Sequence, residues 1–128
     1  MQTYLGARME FSLKHGIMLE DDAQISVETR ELSTQDLIDA EVAAERLVFD
    51  KDGNPALVTS QVLFNYELLR RQIKCIGKIP GPLSIKMLGK LHPDDLNLIN
   101  VMLSTQEQAK ASKVLDQRGR VEATSENA

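Results

Sequence analysis

The sequence predicts an α+β fold in which an N-terminal β-hairpin or ribbon precedes a mainly α-helical domain of three main helices and a short turn-helix. Two patterns predict it. Apolar and polar residues alternate early in the chain, whereas apolar residues recur every three or four positions farther along. We expect one domain over 1–118, made of a β-ribbon at about 7–32 and a helical part at about 33–118. A flexible polar tail should follow at 119–128.

The ribbon is predicted from two runs with the period of two that a strand with one buried face shows. The positions on the expected inner face are Met9, Phe11, Leu13, Ile25, Val27 and Thr29. His15 and Gly16 are expected to make a turn, and residues 20–22 a charged loop. Because a lone hairpin is marginally stable in water, the ribbon should pack on the helices or pair with another copy. Edge strands near Phe11 or Val27 would serve such pairing.

The first helix is expected to begin at Ser33 or Thr34, since residues 33–36 resemble a capping box. Its expected apolar face consists of Leu37, Ile38, Ala40, Ala44, Leu47 and Val48. The small alanines would let another helix approach closely. Residues 50–55, with the sequence DKDGNP, predict a polar turn that ends this helix.

The second helix is expected from about Val58 to Ile76, with Thr59 or Ser60 as its cap. Its apolar residues follow steps of four and three, which is the spacing of one helical face. These residues are Val62, Tyr66, Leu69, Ile73 and Ile76. The pattern predicts that this helix is the most buried one and that Gly77 ends it in the left-handed conformation.

Two further helical segments are expected after the irregular connection at Pro80-Gly81-Pro82. Ser84 should begin a short helical turn. Pro93 suits the first turn of the last helix, where His92 is a candidate cap and Asp94 and Asp95 complement the helix dipole. The residues expected to face inward are Leu96, Ile99 and Leu103.

Composition favours an ordinary protein of the cytosol. The 128 residues are 42% hydrophobic and 27% charged, and the net charge of −4 gives no general attraction to nucleic acid or anionic membranes. Residues 1–50 hold four basic and eleven acidic residues, whereas residues 51–128 hold eleven basic and eight acidic ones. This asymmetry can favour contact between copies or a charged partner, although two solvated faces explain it more simply. We find no signal peptide and no apolar run long enough for a membrane span.

No residue pattern predicts an enzyme, a cofactor or a metal site. Residues 50–54 suggest a calcium loop, but glycine falls at the fourth position and Gln61 at the twelfth. The pairs at 21–22 and 94–95 are better explained as a loop and a helix start, and His15 and His92 lack a visible supporting shell. Cys75, the only cysteine, excludes an intrachain disulfide and is expected to be a buried, inert thiol on the second helix.

Several segments resemble the tail assembly chaperones of Mu-like phages. They are residues 69–77 (LRRQIKCIG), residues 80–83 (PGPL), Leu88, Leu91, residues 94–96 (DDL) and residues 32–41 (LSTQDLIDAE). The resemblance covers roughly residues 9 to 105. Its motifs are helix ends and apolar faces rather than catalytic signatures, and the family has no catalytic residues to transfer.

The resemblance implies a concrete function. Such chaperones coat the hydrophobic, largely helical tape measure protein of a long tail and then give way as tube subunits polymerise around it. Many are made in two lengths by ribosomal frameshifting, and the longer form recruits the tail tube protein. The expected partners are therefore the tape measure protein, the tail tube protein through a longer form, and further copies of the chain, without nucleic acid or membrane. The expected location is the cytoplasm of the infected bacterium, and not the mature virion.

Candidate partner-binding residues fall in two groups. The apolar candidates lie at the margins of the inward faces, and the basic candidates lie toward the end of the second helix. They are Phe64, Met87, Leu98 and Met102 in the first group and Arg70, Arg71 and Lys74 in the second. Alternatively, the apolar candidates are core residues, because helix edges commonly bury such side chains. The basic candidates also have a structural explanation, because they complement the dipole at the end of the helix. Two other functions remain open: a small phage-encoded inhibitor or regulator of a single host protein and, less favoured, a DNA-binding regulator.

Overall fold

The computed structural model describes residues 9–106, which form an α+β fold as predicted. In chain order the elements are β1 (Glu10–Leu19), β2 (Asp22–Thr29), α1 (Thr34–Ala43), β3 (Glu45–Phe49), β4 (Pro55–Thr59), α2 (Gln61–Gln72), β5 (Ile73–Ile76), β6 (Ile79–Pro80), α3 (Ile85–Leu88) and α4 (93–106). The predicted domain boundary at 118 and the tail at 119–128 lie outside the described residues. None of the helices within 9–106 is long and apolar enough to cross a bilayer.

The predicted ribbon forms one side of a four-stranded antiparallel sheet with the order β1-β2-β5-β6. β1 and β2 pair from Glu10 opposite Glu28 to Leu19 opposite Asp22. The prediction of a free edge near Val27 is wrong, because β2 lies between β1 and β5. Val27 pairs with Ile76 and is fully buried.

The predicted turn at His15 and Gly16 is also wrong. Both residues stay within β1, where the pairing register with β2 shifts between Ser12 and Ile17. Gly16 takes a positive φ of 78°, a conformation that glycine adopts without steric cost. The His15-Gly16 pair therefore marks a β-bulge inside a long strand rather than a reversal of the chain.

The start of α1 confirms the predicted capping box. The Ser33 hydroxyl accepts a hydrogen bond from the Asp36 backbone N–H at 3.1 Å, and the Asp36 carboxylate accepts one from the Ser33 N–H at 2.8 Å. Arg30 adds two hydrogen bonds to Asp36, of 2.9 and 3.0 Å. These bonds from Arg30, and then those from Ser33, hold the pKa of Asp36 well below its usual range.

The predicted extents of the first two helices are wrong. α1 ends at Ala43, so Leu47 and Val48 belong to β3 rather than to a helical face. The helix expected over 58–76 is divided among β4, α2 and β5, although Ser60 caps α2 as predicted. Extended backbone begins at Ile73 because β5 completes the sheet beside β2. Gly77 is left-handed as expected, with a φ of 57°, but it turns β5 into β6.

The core lies between the sheet and the helices that follow it. Its members are Leu13, Ile17, Val27, Leu69, Ile73, Ile76, Ile79, Leu83, Leu88, Leu91, Ile99 and Leu103. The inward placement of Ile99 and Leu103 is confirmed, and Leu96 packs at the margin. α2 has the smallest share of exposed residues among the described helices, in line with the prediction, although only Glu67 and Leu69 reach the buried class on it. Within 9–106, no residue between Val27 and Leu69 belongs to this core.

Asp95 joins the last helix to the first strand. Its side chain is fully buried and accepts hydrogen bonds from the backbone N–H groups of Lys14, His15 and Gly16, at distances from 2.7 to 3.3 Å. Neighbouring His92 caps α4, because its Nδ1 accepts from the Asp94 N–H at 3.1 Å. The expected start of the last helix is thus confirmed, and its second acidic residue also fixes the bulge in β1.

Candidate functional site: an exposed apolar arm

The segment 34–66 forms an arm outside the core, which we call the apolar arm. It comprises α1, β3, β4 and the first half of α2. Within the arm, Ala40 and Ala44 are fully buried, and α1 packs against α2. Ten large hydrophobic side chains of the arm are exposed: Leu37, Ile38, Val42, Leu47, Val48, Phe49, Leu57, Val58, Val62 and Tyr66. A surface of this kind commonly marks an interaction site.

The β3–β4 hairpin is apolar on both faces. Leu47 lies opposite Leu57 on one face, and Val48 lies opposite Ala56 on the other. All ten residues of the two strands are exposed, with Phe49 at 65% and Leu57 at 68% of full exposure. A two-stranded hairpin is marginally stable alone, so a covering partner would stabilise it.

A small apolar cavity lies where the arm meets the rest of the molecule. It has a volume of about 180 Å³ and is lined by Tyr66, Ile85, Leu88, Gly89 and Leu96. Small-molecule sites usually enclose about 300–1,000 Å³. The cavity therefore suits one apolar side chain of a partner better than a cofactor.

The apolar candidates that the sequence suggested do not form one surface in the structure. Phe64 lies on the arm but is half-buried in α2. Met87 and Leu98 pack against the core, and Met102 is half-buried on α4. Their partner-binding role stays a prediction, and the more exposed apolar surface lies on α1 and the hairpin.

The basic candidates have partners within the chain. Both Arg70 and Arg71 form ion pairs with Oε1 of the buried Glu67, and Arg70 also donates to the Leu83 carbonyl at 3.1 Å. Lys74 lies on β5 with its ammonium 3.3 Å from the Glu28 carboxylate. Burial alone would raise the pKa of Glu67, but the bonds from the two arginines outweigh it and lower the pKa.

Changing Glu67 to Gln is expected to destabilise the fold by about 2–3 kcal/mol at neutral pH, because two half-buried arginines lose their counter-charge. Since the pKa of Glu67 is lowered by folding, its contribution is complete above the unfolded value near 4.5 and is lost as pH falls through the folded value. Urea unfolding at pH 7 and pH 3 measures both effects. Glu41 to Gln, on the exposed side of α1, is the matched control. Equal stability of the two variants at pH 7 would contradict the prediction.

Comparison with known proteins shows the family. A family model described as tail assembly protein gp41 matches residues 13–120 of this chain. The chain belongs to the gp41 tail assembly protein family of Mu-like phages. The family predicted from the helix-end motifs is thereby confirmed.

Individual relatives agree with the family model. "Mu-like prophage FluMu protein gp41" of Haemophilus influenzae is 48% identical over 114 residues, which cover 89% of each chain. "Probable tail assembly protein gp41" of Escherichia phage Mu is 40% identical over 119 residues, which cover 93% of this chain and 82% of the relative. "Probable tail assembly protein FS-gp41" of the same phage is 38% identical over 112 residues, but only 59% of its length is covered. No solved structure matches the chain.

One group of side chains in this family member has the composition of a metal site. The ligand atoms of His15, His92 and Asp94 lie within 4.8 Å of one another, and all three residues are exposed. The two imidazole rings stack with centroids 3.8 Å apart. The Nδ1 lone pair of His92 already caps α4, so helix capping accounts for the placement of this ring.

Cys75 lies on β5 rather than on the predicted helix, and it is half-buried. Burial raises the pKa of its thiol, and the neighbouring Glu28 carboxylate, with an oxygen 3.6 Å from Sγ, raises it further. A thiol with a raised pKa is a poor nucleophile at neutral pH.

Sequence analysis missed the hairpin residues of the arm, although one signal could have identified them. Asp52 and Gly53 stand between two short apolar runs, and an Asp-Gly pair in this setting favours a hairpin. Gly53 indeed takes a φ of 82°. The helical interpretation prevailed because Leu47 and Val48 continue the spacing of the first helix.

Proposed function

We propose that this protein is a tail assembly chaperone without catalytic activity that binds the tape measure protein and keeps it soluble until the tail tube forms. Membership of the tail assembly family supports a role at this stage of phage assembly. The observation that carries the finer proposal is the apolar arm, a folded segment whose large hydrophobic side chains are exposed rather than placed in the core.

The chemistry of the arm suits an apolar helical client. An amphipathic helix binds by laying its apolar face against a complementary apolar surface. α1 offers the exposed side chains Leu37, Ile38 and Val42, and α2, which packs against α1, offers Val62 and Tyr66. Because a long helical client can bind many copies of the arm, many weak contacts of this kind add up to strong overall binding.

A longer form would extend the same function. The phage Mu relative FS-gp41 is considerably longer than the region that aligns with this chain, because the alignment covers only 59% of the length of FS-gp41. We propose that a comparable longer form, made by frameshifting, brings tail tube subunits to the coated tape measure. Both forms would act in the cytoplasm of the infected bacterium and leave before the virion is complete.

Co-expression with the tape measure protein encoded beside this chain tests the proposal. We expect a soluble complex with many copies per tape measure by size-exclusion chromatography with light scattering, whereas the tape measure alone precipitates. Val42 to Glu should reduce the soluble tape measure at least about tenfold, because it places a charge in the apolar surface. Val101 to Glu is the matched control, since Val101 has a similar exposure of 58% but lies on α4.

Two results would overturn the proposal. One is a tape measure that stays insoluble while this protein elutes alone. The other is an equal loss of soluble tape measure with the Val42 and Val101 variants, which would mean that the arm is not the contact surface. A single folded host protein bound one-to-one would instead identify an inhibitor.

A further inference from the structure

The hairpin of the apolar arm has two outer edges whose backbone groups can be assigned. At its ends, Ser60 N–H donates to the Ala44 carbonyl at 2.9 Å and Asp50 N–H donates to the Asn54 carbonyl at 3.0 Å. Hydrogen-bonded pairs alternate with non-bonded pairs in an antiparallel ladder. The positions bonded to β4 within β3 are therefore 46 and 48, and the backbone groups of Glu45, Leu47 and Phe49 point to the outer edge.

The two edges are unequal. β4 begins with Pro55, which has no N–H to donate, so its outer edge is interrupted. The β3 edge presents N–H groups at all three outward positions and contains neither proline nor lysine. At its base the Glu45 carbonyl accepts from the Arg46 side chain at 2.7 Å, whereas no side chain of the described residues bonds the Leu47 or Phe49 backbone. An exposed apolar edge of this kind is a template for another strand.

We propose that two copies of this chain join through their β3 edges, antiparallel about a two-fold axis at Leu47, to form the four-stranded sheet β4-β3-β3-β4. Leu47 then lies opposite Leu47 of the second copy, and Glu45 lies opposite Phe49. In this register, each of the three β3 residues with outward-pointing backbone groups lies opposite another such residue of the second copy. The edge of β3 is therefore complementary to itself. The dimer does not depend on which client the arm binds.

Charge and burial favour this arrangement. In the antiparallel register Arg46 lies opposite Val48, so no like charges face each other, whereas a parallel register would place Glu45 beside Glu45 and Arg46 beside Arg46. Leu57 and Leu47 of both copies form one apolar stripe across the new sheet, because the cross-strand pair Leu47–Leu57 shares a face. Four strands also remedy the marginal stability of a two-stranded hairpin.

The oligomeric state of matched charge variants tests the proposal. Light scattering should give a dimer for the unmodified protein and a monomer for Leu47→Glu, whose dissociation constant should rise about 100-fold or more because two carboxylates face each other at the axis. Leu57→Glu is the control, since it removes a similarly exposed leucine from the same face but on the outer strand. It should remain a dimer.

Cysteine cross-linking tests the register, with Cys75→Ser as the background. Residues directly opposite in a hydrogen-bonded antiparallel pair have Cα atoms about 5.5 Å apart, within reach of a disulfide. Leu47→Cys should therefore yield a covalent dimer under mild oxidation. Val48→Cys should not, because the two copies of position 48 would lie about 8 Å apart on the diagonal. A monomeric unmodified protein, equal dissociation by both glutamate variants, or equal cross-linking by both cysteine variants would overturn the proposal.

Discussion

Replacing Asp95 with alanine is expected to destabilise the protein by about 3 kcal/mol or more. The carboxylate has no exposed surface and accepts from three successive backbone N–H groups of β1. Its removal leaves these three partly buried donors without their acceptor at the bulge where Gly16 has a positive φ. Urea unfolding of the purified variant measures the loss.

Asp94 to Ala provides the matched control, because Asp94 is the preceding residue in the same helix and is exposed. Its carboxylate lies 3.6 Å from a ring nitrogen of both His15 and His92, and these surface contacts contribute at most about 1 kcal/mol. Asp95 to Asn should fall between the two alanine variants, since the amide keeps one acceptor oxygen. Equal effects of the two alanine variants would show that Asp95 acts only through the helix dipole.

The contribution of Asp95 should also depend on pH. Burial alone would raise the pKa of Asp95, but the bonds from Gly16, Lys14 and His15 outweigh it, so the folded pKa lies below the usual 3.8. A lowered pKa stabilises the fold fully above the unfolded value, and the stabilisation disappears as pH falls through the folded value. The difference in unfolding free energy between the unmodified protein and the alanine variant should therefore shrink below about pH 4. An unchanged difference at pH 2.5 would contradict this account.

Gly81 to Ala is the second substitution with a large expected effect. An added Cβ would overlap the Ile73 carbonyl oxygen and lie 2.8 Å from that of Lys74, and both are backbone atoms of β5. The Gly81 N–H also donates to the Lys74 carbonyl at 2.8 Å, so the segment cannot move away without losing this bond. We expect a loss of about 3 kcal/mol or more, measured as the shift of the urea midpoint.

Alanine variants at two other glycines are controls that distinguish the clash at Gly81 from ordinary backbone effects. Gly53 has a φ of 82° but nothing within 4 Å of an added Cβ, so its alanine variant should lose only about 1–2 kcal/mol through strain. Gly89 has an ordinary φ of −64°, and its alanine variant should be nearly neutral. A Gly81 variant no less stable than the Gly53 variant would show that β5 and β6 adapt to the added methyl group.

Sequence reasoning succeeded where the signal was local. The capping box at Ser33 depends on residues three positions apart, and the serine caps of α2 and α3 have equally short range. The alternation of apolar and polar residues in the first strand is likewise a local signal, because it depends only on which side chains of that strand are buried. Such features survive in any fold that uses the same segment, which is why the helix starts were predicted correctly.

Two of the failures have a different cause, because partners distant in sequence determine the local structure at these positions. Ile73 and Ile76 continue a helical face in the sequence, yet they form a strand because β2 offers its edge. Gly16 looked like a turn because the carboxylate that holds its bulge comes from Asp95, 79 residues later. The exposed surface of the arm was missed for another reason: the apolar residues of the arm were expected to be buried in a helical face, whereas they are exposed.

Among the described residues, the core contains none between Val27 and Leu69, and this distribution has an evolutionary consequence. The free energy of folding is concentrated in the sheet and the later helices, so substitutions on the arm surface change the fold little. Mutations there can be selected for a new client while the scaffold stays constant. Under the proposed function, single substitutions at Val42, Leu57 or Val62 would adapt the arm to a changed tape measure while the protein stays folded at every step.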